Sequence, residues 1–261
     1  MTGDAEVAVA VVSAGATVVR AQFGSSLERF DKGGGDFATS ADIDAERAML
    51  AVLAELRPGD RVLAEESGRG GGEGSRTWLL DPLCGTLNYA AGMQVVAVNA
   101  ALREGERMVA AAVADPFGGE VLWTDGEAAW MRTDGDDHPL APSPVSQLVD
   151  LNLDPPFPSA PGFRAVVVAG DPGFAAAFRP RVVSSSLALA WVATGQRAAY
   201  VTDGDPRDSV HFAAGIAICE AAGCVVTDVL GEPWGRRSSG LLAAADAETH
   251  AALLGLIHAC S

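Results

Sequence analysis

Acidic residues in this chain gather where elements of an α/β fold would turn. Asp36 and Asp42 flank Thr39 in DFATSAD, Glu65 and Glu66 close one short apolar run, and Asp81 closes another in WLLDPLCGTLNY. Strand ends of a layered α/β domain converge on a shared crevice, so three such groups predict one oxygen-rich site. Carboxylate clusters suit Mg²⁺, which keeps several waters and bridges to substrate phosphate. The Cys84-Gly85-Thr86 turn can add backbone N–H groups at the start of a short helix, a cradle for phosphate. Any one of these motifs is weak alone, because Asp and Glu at loop edges are most often simply solvated. Cys84 is the misfit, a thiol in a loop otherwise suited to a hard cation.

The elements that must carry these residues can be read from periodicity. Residues 7–19 predict an amphipathic first helix. The Gly-rich KGGGDFATSAD predicts a loop, followed by a helix over 42–56 with Ile43, Met49, Leu50, Leu53 and Leu56 at helical spacing. A strand over 61–64 runs into Glu65-Glu66-Ser67, and GRGGGEG reads as a flexible loop. A strand over 77–81 is expected to stop at Pro82, with hairpins following over 95–114 and 120–131. Residues 134–162, rich in Asp, Pro and Ser, read as a solvated connection. This gives an N-terminal half over 1–140, a connection over 141–162 and a C-terminal half over 163–261. The second half alternates: strand at 166–169, helix at 184–194, strand at 198–202, helix at 211–222, strands at 224–228 and 241–245, and a last helix at 247–259. Alternation implies an α/β layer.

Composition narrows the function classes. A formal charge of −16 over 261 residues argues against nucleic acid or an anionic membrane as partner and leaves a small molecule. A phosphorylated ligand would need metal or backbone dipoles to reverse that potential locally. Residues 7–19 follow Asp4 and Glu6 without a basic lead, which opposes a signal peptide, and no apolar run is long enough to span a bilayer. Cys84, Cys219, Cys224 and Cys260 lack zinc-module spacing, and reduced thiols point to a cytoplasmic protein. Cys219, Cys224, Cys260, His138, His250 and His258 belong to no motif and read as packing or surface residues.

Order and spacing together are specific. DFATSAD resembles the D-x-x-T-x-x-D of the inositol monophosphatase family of magnesium-dependent, lithium-sensitive phosphatases, and AEES resembles its G-E-E-S. WLLDPLCGTLNY is similar to W-x-x-D-P-[IL]-D-G-T-x-N-[FY], and VHFAAGIAICEAAG to the late W-D-x-A-A-G…E-A-G-G motif. SSSLALAWVATGQRAAY fits the segment before that motif, so the likeness covers nearly the whole chain. The resemblance implies an α/β αβαβα sandwich, usually a homodimer, that cleaves small phosphomonoesters with a metal-activated water. It implies that Glu65, Asp81 and the Leu83 carbonyl hold a first metal, and that Thr86, supported by Asp42, orients the water. Gly85 and Thr86 N–H groups would bind phosphate, with Asn88 in the same loop and Asp203 near the substrate-hydroxyl contact. Lys32, Asp36 and Thr39 would belong to a mobile flap.

Two positions depart from that pattern, and both serve the second metal. Cys84 and His211 stand where the resemblance expects Asp, although Asp205 and Asp208 lie close enough to offer a shifted ligand. Ligands of one metal must have tips within about 3–4 Å of each other, so Cys84 and His211 are expected to face one another. Three readings stay open. Cys84 can be a nucleophile with His211 as base, its thiol acidified at a helix start. Glu65, Asp81, Cys84 and His211 can bind Zn²⁺. The fold can also have lost catalysis and kept only binding. A residual phosphomonoesterase with Mg²⁺ at one retained site, or a site holding no metal, are the neighbouring alternatives. Retention of Glu65 with Asp81 favours an enzyme with remodelled chemistry on a small polar metabolite.

Overall fold

Small apolar residues recur at helical spacing near the N-terminus, and they form one face of α1 (Asp4–Gln22), with Val7, Ala8, Val11, Val12, Gly15, Ala16 and Val19 buried. Asp4 and Glu6 in its first turn and Arg20 in its last suit the helix dipole. A Cβ on Gly15 would meet Val98 Cγ1 at 2.9 Å and Met49 Cγ at 3.0 Å, so glycine here sets the close approach of α1 to its neighbours. The computed structural model describes residues 2–33, 36–153, 165–203, 209–234 and 240–260.

After α1 come the hairpin β1 (Arg29–Gly33) and β2 (Asp36–Thr39), then α2 (Ser40–Leu56). An eight-stranded sheet follows, from β3 (Arg61–Ala64), β4 (Gly68–Gly71), β5 (Arg76–Cys84), β6 (Ala97–Glu104), β7 (Arg107–Ala114), β8 (Val121–Thr124), β9 (Ala129–Thr133) and β10 (Asp136–Pro139). The short helix α3 (Thr86–Ala90) lies between β5 and β6. Strand order is β10-β9-β8-β7-β6-β5-β3-β4, antiparallel except where β3 meets β5. The second sheet, of five strands, takes β11 (Leu148–Asn152), β12 (Arg179–Val182), β13 (Ala199–Thr202), β14 (Val225–Thr227) and β15 (Leu241–Ala244) in the order β12-β11-β13-β15-β14. Its helices are α4 (Ala165–Ala169), α5 (Pro172–Ala177), α6 (Leu187–Ala193), α7 (Ala213–Ala222) and α8 (Ala247–Ala259).

Strand side chains alternate between faces, and the three cores follow that period. Trp78, Leu80, Val98, Ala100, Leu102, Ala110 and Ala112 pack under α1 and α2. Leu79, Ala97, Ala101, Ala111 and Val113 face the other way, onto α6 and α7, which also take Tyr200, Leu241 and Ala243 from the second sheet. Val149, Leu151, Val201, Leu242 and Ala244 cover the far face of that sheet, against α4, α5 and α8. The layers therefore run helix, sheet, helix, sheet, helix, the αβαβα sandwich expected from the motifs. Among the described residues, no helix is long and apolar enough to cross a membrane.

Several local expectations are corrected. KGGGDFATSAD is not a plain loop: its described residues form the β1–β2 hairpin and the start of α2. The first residues of GRGGGEG form strand β4, whose glycines read as loop because they carry no side-chain periodicity. Pro82 does not stop β5, which continues to Cys84. Residues 166–169 lie in helix α4, since an apolar run of that length has no period of its own. The connection read over 134–162 carries edge strand β10 and β11, a buried strand between β12 and β13; composition there masked a core element. Residues 154–164 lie outside the described part.

Candidate active site

The register of β5 against β6 runs Leu79↔Ala101, Leu80↔Ala100, Asp81↔Asn99, then skips to Cys84↔Ala97. Three steps on β5 match two on β6, which makes a β-bulge. Pro82 sits inside it, where a missing N–H is tolerated. In a regular strand residues 81 and 84 would face opposite sides. The bulge instead sends Leu83 into the α1/α2 core and Cys84 to the α6/α7 side, where Asp81 also points.

His211 arrives there from the turn just before α7. Its Nδ1 lies 2.7 Å from Asp81 Oδ2. One donor atom from each of Asp81, Cys84 and His211 lies within 4.8 Å of the other two, so the Cys84 thiol and the His211 imidazole converge on one point. Two residues not singled out in the sequence hold this cluster. The buried Asn99 amide donates to Asp81 Oδ2 at 3.3 Å and to Ser186 Oγ at 2.9 Å. Ser186 N–H donates to Cys84 Sγ at 3.2 Å, and Leu83 N–H to Asp81 Oδ1 at 3.1 Å. The sequence carried one signal for each: a serine run at a helix start, and a lone Asn in an apolar strand, a polar residue that needs a partner.

Glu65 follows β3 and is joined to the β1–β2 hairpin. Lys32 Nζ lies 2.9 Å from Glu65 Oε1 and 2.7 Å from Glu66 Oε1. Among the described residues, the buried Glu65 Oε2 has no hydrogen-bond partner. Glu46, also unmarked by any motif, accepts the N–H groups of Glu66 and Ser67 at 2.8 and 2.9 Å and so fixes this turn.

Thr39 and Asp42 cap α2. Asp42 Oδ2 accepts from Thr39 N–H at 2.8 Å and from its hydroxyl, while Thr39 Oγ1 accepts from Ala41 N–H. Thr39 is thus a buried cap at the end of β2, whereas Lys32 and Asp36 are exposed on the same hairpin. The other Asp42 oxygen receives Thr86 Oγ1 at 2.8 Å; the Leu83 carbonyl, 3.2 Å away, is a second acceptor for that hydroxyl. Gly85 takes φ +105°, and a Cβ there would press the Val95 carbonyl at 3.1 Å. Asn88 directs its amide N–H₂ to the carbonyls of Val95 and Ser184 at 2.9 and 3.0 Å, tying the loop down. Asp203 is buried at the end of β13 and accepts from Ala165 N–H at 3.3 Å. Asp205 and Asp208 lie outside the described residues.

The charges of the cluster are set by these contacts. Burial, and then repulsion from Asp81, push Glu65 up to about 8. Burial works against ionised Asp81, yet its contact with His211 holds it below the usual carboxylate range. Burial alone would lower His211, but the Asp81 carboxylate raises it well above its ordinary value. Burial and the Asp81 charge push the Cys84 thiol up, the reverse of the acidification expected at a helix start. The reason is local: α3 has only five residues, and a carboxylate faces the sulfur. A protonated thiol beside a protonated imidazole is a poor nucleophile–base pair.

Hard oxygen donors and softer ones meet at Asp81, which belongs to both sets. Glu65, Asp81 and the Leu83 carbonyl form an all-oxygen set, and the orphaned Glu65 oxygen is what a cation would satisfy, so Mg²⁺ fits there. Cys84 and His211 do not make a magnesium site.

Comparison with known proteins bears on the family and the fold. The family model described as "Inositol monophosphatase family" matches residues 2–261. An inositol-1-monophosphatase of Caulobacter vibrioides is 32% identical over 217 residues, 78% of this chain and 80% of its own length. The inositol-1-monophosphatase ImpA of Mycolicibacterium smegmatis is 33% identical over 226 residues, covering 82% and 78%. Among solved structures, the extragenic suppressor protein suhB of Bartonella henselae superposes with TM-score 0.82 at 24% identity, over 98% of this chain and 97% of that one. The Thermotoga maritima IMPase gives 0.77 at 21% identity, over 98% of each chain.

Proposed function

The chain belongs to the inositol monophosphatase family, and from that membership we propose a hydrolase of small phosphorylated polar metabolites in which Cys84 and His211 have taken over the place of the second metal. The observation that carries this reading is the 2.7 Å contact between His211 and Asp81, with Cys84 in the same cluster. Both departures from the family pattern fall at one point, beside carboxylates that persist.

Glu65, Asp81 and the Leu83 carbonyl would hold Mg²⁺, which when bound supplies Lewis-acid polarisation and a more acidic water. Thr86, held by Asp42, accepts and orients a water through its hydroxyl oxygen. The first N–H groups of α3 lack intrahelical acceptors and can receive phosphate oxygens, with Gly85 opening the approach. The Asp81-held imidazole places a donor N–H where negative charge would collect on the substrate. A thiol nucleophile is the weaker reading, because burial and Asp81 hold Cys84 protonated.

The test is a panel of inositol, sugar and nucleoside monophosphates assayed with Mg²⁺, using Glu65→Gln as the control. Turnover of at least one member, lost in Glu65→Gln, is expected. Binding of phosphomonoesters without turnover of any member overturns the hydrolase reading in favour of a binding protein.

A further inference from the structure

We propose that Asp81, Cys84 and His211 form a binding site for a thiophilic divalent cation, zinc above all, with one coordination position left open. This rests on the reading above and changes one part of it: with zinc bound, the His211 imidazole ligates the ion instead of donating to substrate.

The donor set is the first ground. One carboxylate oxygen, one sulfur and one imidazole nitrogen suit zinc, whereas magnesium takes oxygen almost alone. Spacing is the second. Zinc–ligand bonds of about 2.0–2.3 Å put tetrahedral donors about 3.3–3.6 Å apart. The three donors lie within 4.8 Å of each other, so no pair would close by more than about 1.5 Å, and the 2.7 Å Asp81–His211 contact would open slightly. Side-chain rotation covers such shifts.

Fixed outer contacts are the third ground. Metal ligands are normally oriented by hydrogen bonds to their far side. Cys84 Sγ already accepts Ser186 N–H, an interaction that favours a thiolate. Asp81 is fixed by Leu83 N–H on one oxygen and by the Asn99 amide on the other. Asn99 and Ser186 are themselves joined in both directions, at 2.9 and 3.0 Å, so both ligands from β5 rest on one buried polar network. Among the described residues this cluster has three members, not four. Three protein ligands with an open position is the arrangement of zinc sites that meet substrate, whereas structural zinc sites close with four. Asp81 also acts on Glu65, whose carboxyl its charge helps to push up, so the cluster adjoins the oxygen donors read as the magnesium set.

The experiment uses the full chain, purified without chelator and without added metal. It is equilibrated with zinc, freed of excess by gel filtration, and analysed for metal content. About one zinc per chain is expected for the wild type. Cys84→Ser and His211→Ala should each weaken zinc binding about tenfold or more while leaving the far-ultraviolet circular dichroism unchanged. Cobalt substitution should give a near-ultraviolet sulfur-to-cobalt charge-transfer band that disappears in Cys84→Ser. A band that persists in Cys84→Ser, or a folded wild type that retains no zinc, overturns the proposal. Glu65→Gln separates the two readings, because it should keep zinc while losing magnesium-dependent turnover. Zinc bound at Cys84 in a protein with no phosphatase activity would sustain this site and sink the hydrolase reading.

Discussion

Asp81 and Cys84 stand three residues apart on one strand and still face the same side of it, because the bulge at Pro82 absorbs one residue of the β5–β6 register. That geometry puts the Cys84 thiol beside Asp81 and His211 instead of in the core under α1 and α2. Its neighbour Leu83 goes the other way and is fully packed under α1 and α2. The same bulge leaves the Leu83 carbonyl beside Thr86 Oγ1, so one irregularity positions residues for two different tasks.

Thr39 and Thr86 share one acceptor, Asp42, but should fail differently. Thr39→Ala removes a helix cap and should cost about 1 kcal/mol of stability with kcat little changed. Thr86→Ala leaves the cap intact and should cost about a hundredfold in kcat by misplacing the water. Urea denaturation beside steady-state kinetics checks both. Equal kinetic loss in the two variants would show that Thr39 works in the cleft after all.

Lys32 and an incoming cation compete for Glu65. The ammonium group already lies 2.9 Å from Oε1, and a metal at this carboxylate must loosen that pair. For a pair this accessible the interaction is worth about 1 kcal/mol. Lys32→Met should therefore tighten Mg²⁺ binding by about fivefold, read by isothermal titration. Weaker binding in the variant would mean that Lys32 helps to assemble the site.

How much of this was legible in the sequence depended on the kind of signal. Element ends gave the carboxylates, while the Thr86–Asp42 pair and the meeting of Cys84 with His211 came from the family resemblance. The bulge at Pro82 was misread as a strand end, since proline ordinarily stops a ladder and only the β6 register reveals the extra residue. Asn99 and Ser186 were missed because their importance lies in each other, across 87 positions of chain. Strand β11 was hidden in a Pro- and Asp-rich stretch, where the five residues LVDLN bury three side chains. Cys84 acidity was wrong in sign because burial and the facing Asp81 outweigh a one-turn helix.

Arg132 gives a pH-dependent contribution to stability far from the cleft. It bridges Glu6 on α1 and Asp137 on β10, both at 2.8 Å, and its contacts lower both carboxyl pKa values. A folded-state pKa below the unfolded one means stability that is present above the unfolded values of 4.5 and 3.8 and lost as pH falls through the lowered ones. Arg132→Leu should lower the urea midpoint at pH 7, and the gap from wild type should shrink under acid. A gap independent of pH would assign the effect to packing of Arg132 on Trp123 instead.

Restoring carboxylates at both departures tests whether the rest of the cleft is still that of a two-metal phosphatase. In Cys84→Asp the bulge already aims the side chain at the α6/α7 side, and in His211→Asp the new carboxylate enters beside Asp81. Either change alone adds a negative charge next to Asp81 without completing a ligand set, so each single variant should gain little. Together they recreate an all-oxygen site for a second Mg²⁺, whose stabilisation of transition-state charge is worth several kcal/mol. The double variant should therefore exceed wild type by about tenfold or more in Mg²⁺-dependent phosphomonoester hydrolysis, with a steeper dependence on Mg²⁺ concentration. A folded double variant with no gain would show that the Thr86–Asp42 pair and the Gly85 loop no longer hold substrate for a metal-activated water.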